Sequence, residues 1–125
     1  MKLLLDTHIV SWLFYEPQKI PEAARKLIKD AEAVFVSSAS IWEIAIKVRI
    51  GKMHANPRRV VQFLEAAGII ELPVYSKHTV LVADLPLYHT DPFDRLLIAQ
   101  AISEPLHLLT TDAQLKQYSE LVIQV

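Results

Sequence analysis

The sequence predicts an α/β fold in which a mostly parallel β-sheet is covered by helices on both faces. Two observations predict it. Short, continuous apolar runs (KLLL, AVFV, IIEL, HLLT and LVIQ) alternate with helical segments along the chain. An uninterrupted apolar run, rather than an alternating one, is what a strand buried on both faces requires. Hydrophobic residues also make up 52% of the 125 residues, with only two glycines and no low-complexity stretch. That is enough apolar side chain for a real core, and it leaves no candidate linker, so residues 1–125 read as a single domain.

The elements follow in order. Residues 2–5 form a buried strand that ends at Asp6, and residues 7–15 (THIVSWLFY) form a helix apolar nearly all round. Pro17 and Pro21 mark a turn, and Pro21 suits the first position of an amphipathic helix over 22–31. A second strand covers 33–36. A helix over 40–50 follows, ended by Gly51, and Pro57 opens another over 57–67, closed by Gly68. A strand over 69–72 stops at Pro73. Then come a short helix over 76–83, a loop from Asp84 to Thr90, a long helix over 92–103, a strand over 107–110, a short helix over 112–118 and a last strand over 121–124. Right-handed crossovers would gather the loops that follow the strands along one edge, where open α/β sheets bind ligands.

Several classes are excluded or disfavoured. There is no cysteine, which rules out disulfides and thiolate metal sites. The run in MKLLLDTH is too short for a signal peptide, and nothing approaches the roughly 18 apolar residues of a membrane span. A cytoplasmic protein without membrane association is expected. The net charge of −1 gives no sign of nucleic acid. Its distribution says more: between Glu43 and Glu65 there is no acid, yet Lys47, Arg49, Lys52, Arg58 and Arg59 all fall there. This is a solvated helix face or a phosphate-binding rim.

Asp6 directly follows the first strand, Asp112 follows the 107–110 strand, and Glu43 lies in the first turn of the helix after the second strand. Asp94 lies in the first turn of the 92–103 helix, after a loop. Each acid has a structural explanation. Ser40 and Glu43 fit a capping box, Glu43 can pair with Lys47 one turn on, and Asp6, Asp91 and Asp112 are plausible N-caps. Asp94 would then complement a helix dipole. Their shared location argues for more. Two carboxylates ~4 Å apart repel by about 4 kcal/mol at an effective dielectric near 20. Four converging ones would protonate or separate unless a cation sat among them. An all-oxygen cluster suits Mg²⁺ or Mn²⁺, whereas zinc favours histidine or cysteine. Such an ion can bind a phosphate oxygen, activate water and stabilise a leaving oxygen, while a spare carboxylate orients the water or takes its proton.

The segments LLLDTH, SSASIWEIAIK, HTDPFDRLLIAQA and LLTTDAQL, in that order over residues 3 to about 118, resemble a PIN domain. The toxin subunits of VapBC-type toxin–antitoxin systems are the most similar members. The resemblance implies a three-layer α/β/α domain with a five-stranded parallel sheet. It further implies a Mg²⁺- or Mn²⁺-dependent endoribonuclease silenced by a cognate antitoxin, and a homodimer. By the same resemblance Asp6, Glu43, Asp94 and Asp112 are the four catalytic acids, with Asp6, Asp94 and Asp112 on the metal. Asp91, one turn before Asp94, competes for the third place; Asp94 is preferred because it adjoins the RLLIAQA run.

Thr7, Thr111 and Arg95 are possible accessories. The threonines would bind water or phosphate or cap helices. Arg95 would neutralise charge on the phosphate or form a surface salt bridge. Trp12, Phe14 and Tyr15 belong either to the core or to a groove for an antitoxin helix. Trp42 is expected in the core. None of His8, His54, His78, His89 and His107 is assigned to catalysis. Three other readings stand beside this one: a receiver-like Mg²⁺-binding signalling domain, a nuclease acting on DNA, and a binding module in which the acids only cap helices. A receiver would carry an acidic pair after its first strand and a lysine after its last. Here Asp6 stands alone and the chain ends in LVIQV.

Overall fold

The computed structural model describes all residues from Met1 to Val125. Five parallel strands, β1 (Lys2–Leu5), β2 (Ala33–Ser37), β3 (Ile70–Leu72), β4 (His107–Thr110) and β5 (Val122–Gln124), form one sheet in the order β3-β2-β1-β4-β5. The expected α/β class with a five-stranded parallel sheet is what the chain adopts. Receiver-type sheets run 2-1-3-4-5; this order is different, and the receiver reading falls with it.

The strand side chains divide by parity. Leu3 and Leu5 of β1, with Leu109 of β4, join one buried cluster containing Ile9, Val10, Ile44, Val60 and Leu64. These come from α1 (Thr7–Tyr15), α3 (Ser38–Arg49) and α4 (Pro57–Ala66), while α2 (Glu22–Asp30) adds Ala24. Leu4 and Leu108 point the other way, onto Leu97, Ile98 and Ala101 of α6 (Pro92–Ser103). A four-residue apolar strand thus supplies both cores, because successive side chains point to opposite faces.

Element boundaries differ from expectation where a cap was misjudged. The helix after β2 starts at Ser38, not residue 40. Ser37 is its N-cap, and its Oγ accepts from Ala39 N–H at 3.0 Å. Ser40 therefore lies inside the helix and the expected capping box with Glu43 does not form. Ser40 Oγ accepts instead from Thr7 Oγ1 at 2.8 Å, tying α3 to α1. The 76–83 helix shortens to α5 (Ser76–Leu81) and continues as a 3-10 turn over Val82–Asp84. Residues 113–118 also form a 3-10 turn, with Asp112 as N-cap. Gly51 and Gly68, with φ of 80° and 74°, follow α3 and α4 as expected of helix-ending glycines. Trp42 is not core. It is 62% exposed on α3 and meets only the edge of Phe93, with ring centroids 5.3 Å apart.

Candidate functional site

The register of the sheet builds the site. Leu5 pairs with Val36 on one side and Leu109 on the other. One residue further on, Asp6, Ser37 and Thr110 lie at the carboxyl edge of the three central strands. Asp6 is 2% exposed. Its Oδ1 caps α1 by accepting from His8 N–H at 2.6 Å, and its Oδ2 accepts from Thr110 Oγ1 at 2.5 Å. The carboxylate is held by a helix terminus and a hydroxyl, with no lysine or arginine in contact; the His8 Nδ1 nitrogen lies 3.8 Å from Oδ1.

Glu43 points out of α3, one turn beyond Ala39. Lys47 reaches its Oε2 at 3.1 Å, but Oε1 is buried without any partner. Asp94 enters from α6, whose N-cap is Asp91: Asp91 Oδ1 accepts from the backbone N–H of Phe93 and Asp94 at 2.8 and 3.1 Å. Asp91 thus faces the helix backbone, and Asp94 is the residue facing the other acids. Burial, then the charges of Asp91, Asp6 and Glu43, push the Asp94 carboxyl up to about 7, against a smaller opposing effect of His89. Asp112 caps the turn after β4 by accepting from Gln114 N–H at 2.9 Å, and its backbone N–H donates to Thr110 Oγ1 at 3.0 Å.

His89 was not singled out for this site, yet its Nε2 lies 3.2 Å from Asp112 Oδ2 and 3.5 Å from Asp94 Oδ2. Thr110 was missed as well, and the expected neighbour Thr111 makes no hydrogen bond to the acids. Thr7 is spent on Ser40. Two signals were available. Thr110 occupies the last position of a strand adjacent to Asp6, and His89 sits two residues before a helix-capping Asp.

Arg95 is a correction. It is 8% exposed, and its guanidinium donates to the carbonyls of Val82, Leu85, Pro86 and His89 and to Tyr118 Oη. A buried guanidinium whose two terminal nitrogens already serve five acceptors is committed to the fold, and the side chain is not a surface salt bridge either. It clamps the 82–89 loop onto α6.

The cationic run splits. Lys47 and Lys52 line a groove of about 630 Å³ together with Thr7, His8, Trp12, Tyr15 and His54. Arg49, Arg58 and Arg59 are exposed and stand outside that groove. Trp12 and Phe14 are only partly buried and pack against the core beneath them, with Phe14 edge-on to Phe63 at 5.6 Å.

Chemically, the site suits a hard divalent cation. An Asp94 carboxyl raised by burial and by neighbouring acids, and a buried Glu43 oxygen with no donor, are what a bound positive charge would satisfy.

The family model for the PIN domain matches residues 3–121. The chain belongs to the PIN-domain family. This PIN domain is 29% identical to Ribonuclease VapC22 of Mycobacterium tuberculosis over 122 residues, which cover 93% of the chain and 91% of that relative. In fold it is similar to a chain of the VapBC2 complex of Rickettsia felis, solved bound to promoter DNA (TM-score 0.73, 19% identity, covering 100% and 98% of the two chains). A toxin–antitoxin complex from Klebsiella pneumoniae gives a TM-score of 0.65 at 17% identity, covering 98% and 96%.

Proposed function

We propose that this PIN domain is a Mg²⁺- or Mn²⁺-dependent endoribonuclease and the toxin of a type II toxin–antitoxin pair. The observation that carries the chemistry is the convergence of Asp94 and Asp112, whose carboxylate oxygens lie with His89 Nε2 within 4.8 Å of one another, while the charges of Asp91, Asp6 and Glu43 also act on the half-buried Asp94. The likeness to Ribonuclease VapC22 supports RNA as substrate and the toxin role, and the toxin–antitoxin complexes among its fold neighbours support an antitoxin partner.

In this reading Asp6, Asp94 and Asp112 hold the ion, directly or through water. When bound, the ion polarises a phosphate oxygen and offsets charge on the leaving oxygen. Glu43, whose Oε1 is left without a donor, is the carboxylate that orients the attacking water and takes its proton. Lys47 holds Oε2 at 3.1 Å and lines the groove along which the phosphate would approach. Asp91 acts through its cap of α6, and Thr7 through its bond to Ser40; Thr111 stands beside the acids without a defined part. RNA approaches along Lys47 and Lys52, with Arg49, Arg58 and Arg59 extending the cationic rim. Trp12 and Tyr15, which line that groove, offer an antitoxin helix an apolar edge, with Phe14 packed behind them against Tyr15 and Phe63. A homodimer in the cytoplasm completes the reading; no helix is long and apolar enough to cross a membrane.

Cleavage of single-stranded RNA by the parent and by Asp6→Asn, with and without Mg²⁺, tests it. The parent should cut only with the ion, and the variant should not cut. Undiminished cleavage by Asp6→Asn overturns the site. Unchanged antitoxin affinity in both Trp12→Ala and Phe14→Ala overturns the groove.

A further inference from the structure

An imidazole nitrogen and two carboxylates, those of His89, Asp94 and Asp112, converge so that their ligand atoms lie within 4.8 Å of one another. Such a trio admits two opposite chemistries. Nε2 can be a bare lone pair that ligates a cation beside the carboxylates. Alternatively it carries a proton and donates it to them.

The other ring nitrogen decides. The backbone N–H of Asp91 donates to His89 Nδ1 at 3.0 Å. A nitrogen that accepts a hydrogen bond carries no proton, so the neutral ring has its proton on Nε2. Ligation through Nε2 would shift that proton to Nδ1. There it would oppose the Asp91 N–H and leave that donor without an acceptor.

The ring is also placed from outside the site. His89 N–H donates to Tyr118 Oη at 2.8 Å, and its carbonyl accepts from Arg95 at 3.4 Å. Arg95 and Tyr118 touch each other at 3.2 Å. The peptide of His89 is therefore tied to α6, which carries Asp94, and to the 3-10 turn that Asp112 caps.

We propose that His89 is a positioning residue: its Nε2–H dipole, held beside Asp94 and Asp112, sets the two carboxylates for a divalent cation without ligating it. The proposal rests on the nuclease reading above. Both Oδ2 atoms stand beside His89 Nε2, at 3.5 Å for Asp94 and 3.2 Å for Asp112, as close charge–dipole contacts, and Asp112 Oδ1 accepts from Gln114. No protein donor reaches Asp94 Oδ1, which remains for the ion. The ligand set then stays all-oxygen, which favours Mg²⁺ or Mn²⁺ over zinc.

Nitrogen-15 NMR of the full chain reads the tautomer. His89 should show an unprotonated Nδ1 and a protonated Nε2, and Mg²⁺ should leave that pattern in place. Mn²⁺ titration followed by the ion's EPR signal then compares variants. His89→Gln, whose amide can bring an N–H near the Nε2 position, should bind within about threefold of the parent. His89→Asn keeps only an acceptor for Asp91, and His89→Ala keeps neither; both should bind about 10–100-fold more weakly. Because Asn preserves the Asp91 contact, its thermal unfolding should match the parent, which separates positioning from folding.

A protonated Nδ1, or an Nε2 resonance that moves to the metal-bound range on adding Mg²⁺, overturns the proposal. So does parent-like Mn²⁺ affinity in His89→Asn and His89→Ala. These results leave the nuclease reading standing. A parent chain that binds no Mn²⁺ overturns both.

Discussion

Thr110 Oγ1 donates to Asp6 Oδ2 at 2.5 Å, joining two residues separated by 104 positions in the chain. Both groups are buried, and β1 and β4 are neighbours in the sheet. The bond fixes one oxygen of the most buried acid. Thr110→Val keeps the shape and removes the donor. A lost hydrogen bond to a charged group should cost about 1.5–3 kcal/mol in urea unfolding, and RNA cleavage should fall with it. Thr110→Ser should restore both. Equal stability of the Val and Ser variants would contradict this.

The Asp94 carboxyl makes stability depend on pH in a defined direction. Its value in the folded chain, about 7, lies above the ordinary 3.8. Between those values the folded state holds a proton that the unfolded state has lost. Its contribution therefore favours folding at low pH and is lost as pH rises through that window. In the ion-free protein, the urea midpoint of the parent relative to Asp94→Asn should decline from pH 4 to pH 7. Mg²⁺ should remove most of that decline. A difference that does not change with pH would show that Asp94 titrates normally.

Glu43→Gln separates chemistry from folding. Its one ion pair, with Lys47 four residues on, contributes only about 0.3–0.5 kcal/mol. Stability should change by less than about 1 kcal/mol. Cleavage should drop by about 10²–10⁴, the usual contribution of a positioned proton acceptor. Full cleavage by a folded variant would remove Glu43 from the mechanism.

Arg95→Lys should fail structurally. Five acceptors surround the guanidinium, and a single ammonium cannot span them. Unfolding experiments should show a loss of about 2–4 kcal/mol, with His89 displaced from the acids. A stable but inactive Arg95→Lys chain would return Arg95 to the phosphate.

Much of this molecule is legible in local sequence. Asp6 and Asp112 follow apolar runs, and Pro92 after Asp91 announces a helix whose first turn holds Asp94. Strand runs, helix starts and the positions of the acids depend on neighbours a few residues away, so pattern reveals them. Ser40 was misread as the cap because Ser37, Ser38 and Ser40 all suit one, and only backbone geometry chooses between them. Trp42 was misread because an aromatic within an apolar helix looks like core; the direction of its face depends on where α6 lies.

The sequence by itself determined the parallel sheet, the order of its helices and the four acids at its carboxyl edge, since apolar runs and capping residues act locally. Only the tertiary structure decided that Thr110 holds Asp6, that Arg95 clamps a loop, and that His89 Nε2 stands between Asp94 and Asp112. Those contacts join strands and loops far apart in the chain, and a hydrogen bond over a few ångströms leaves no periodicity in the sequence that makes it.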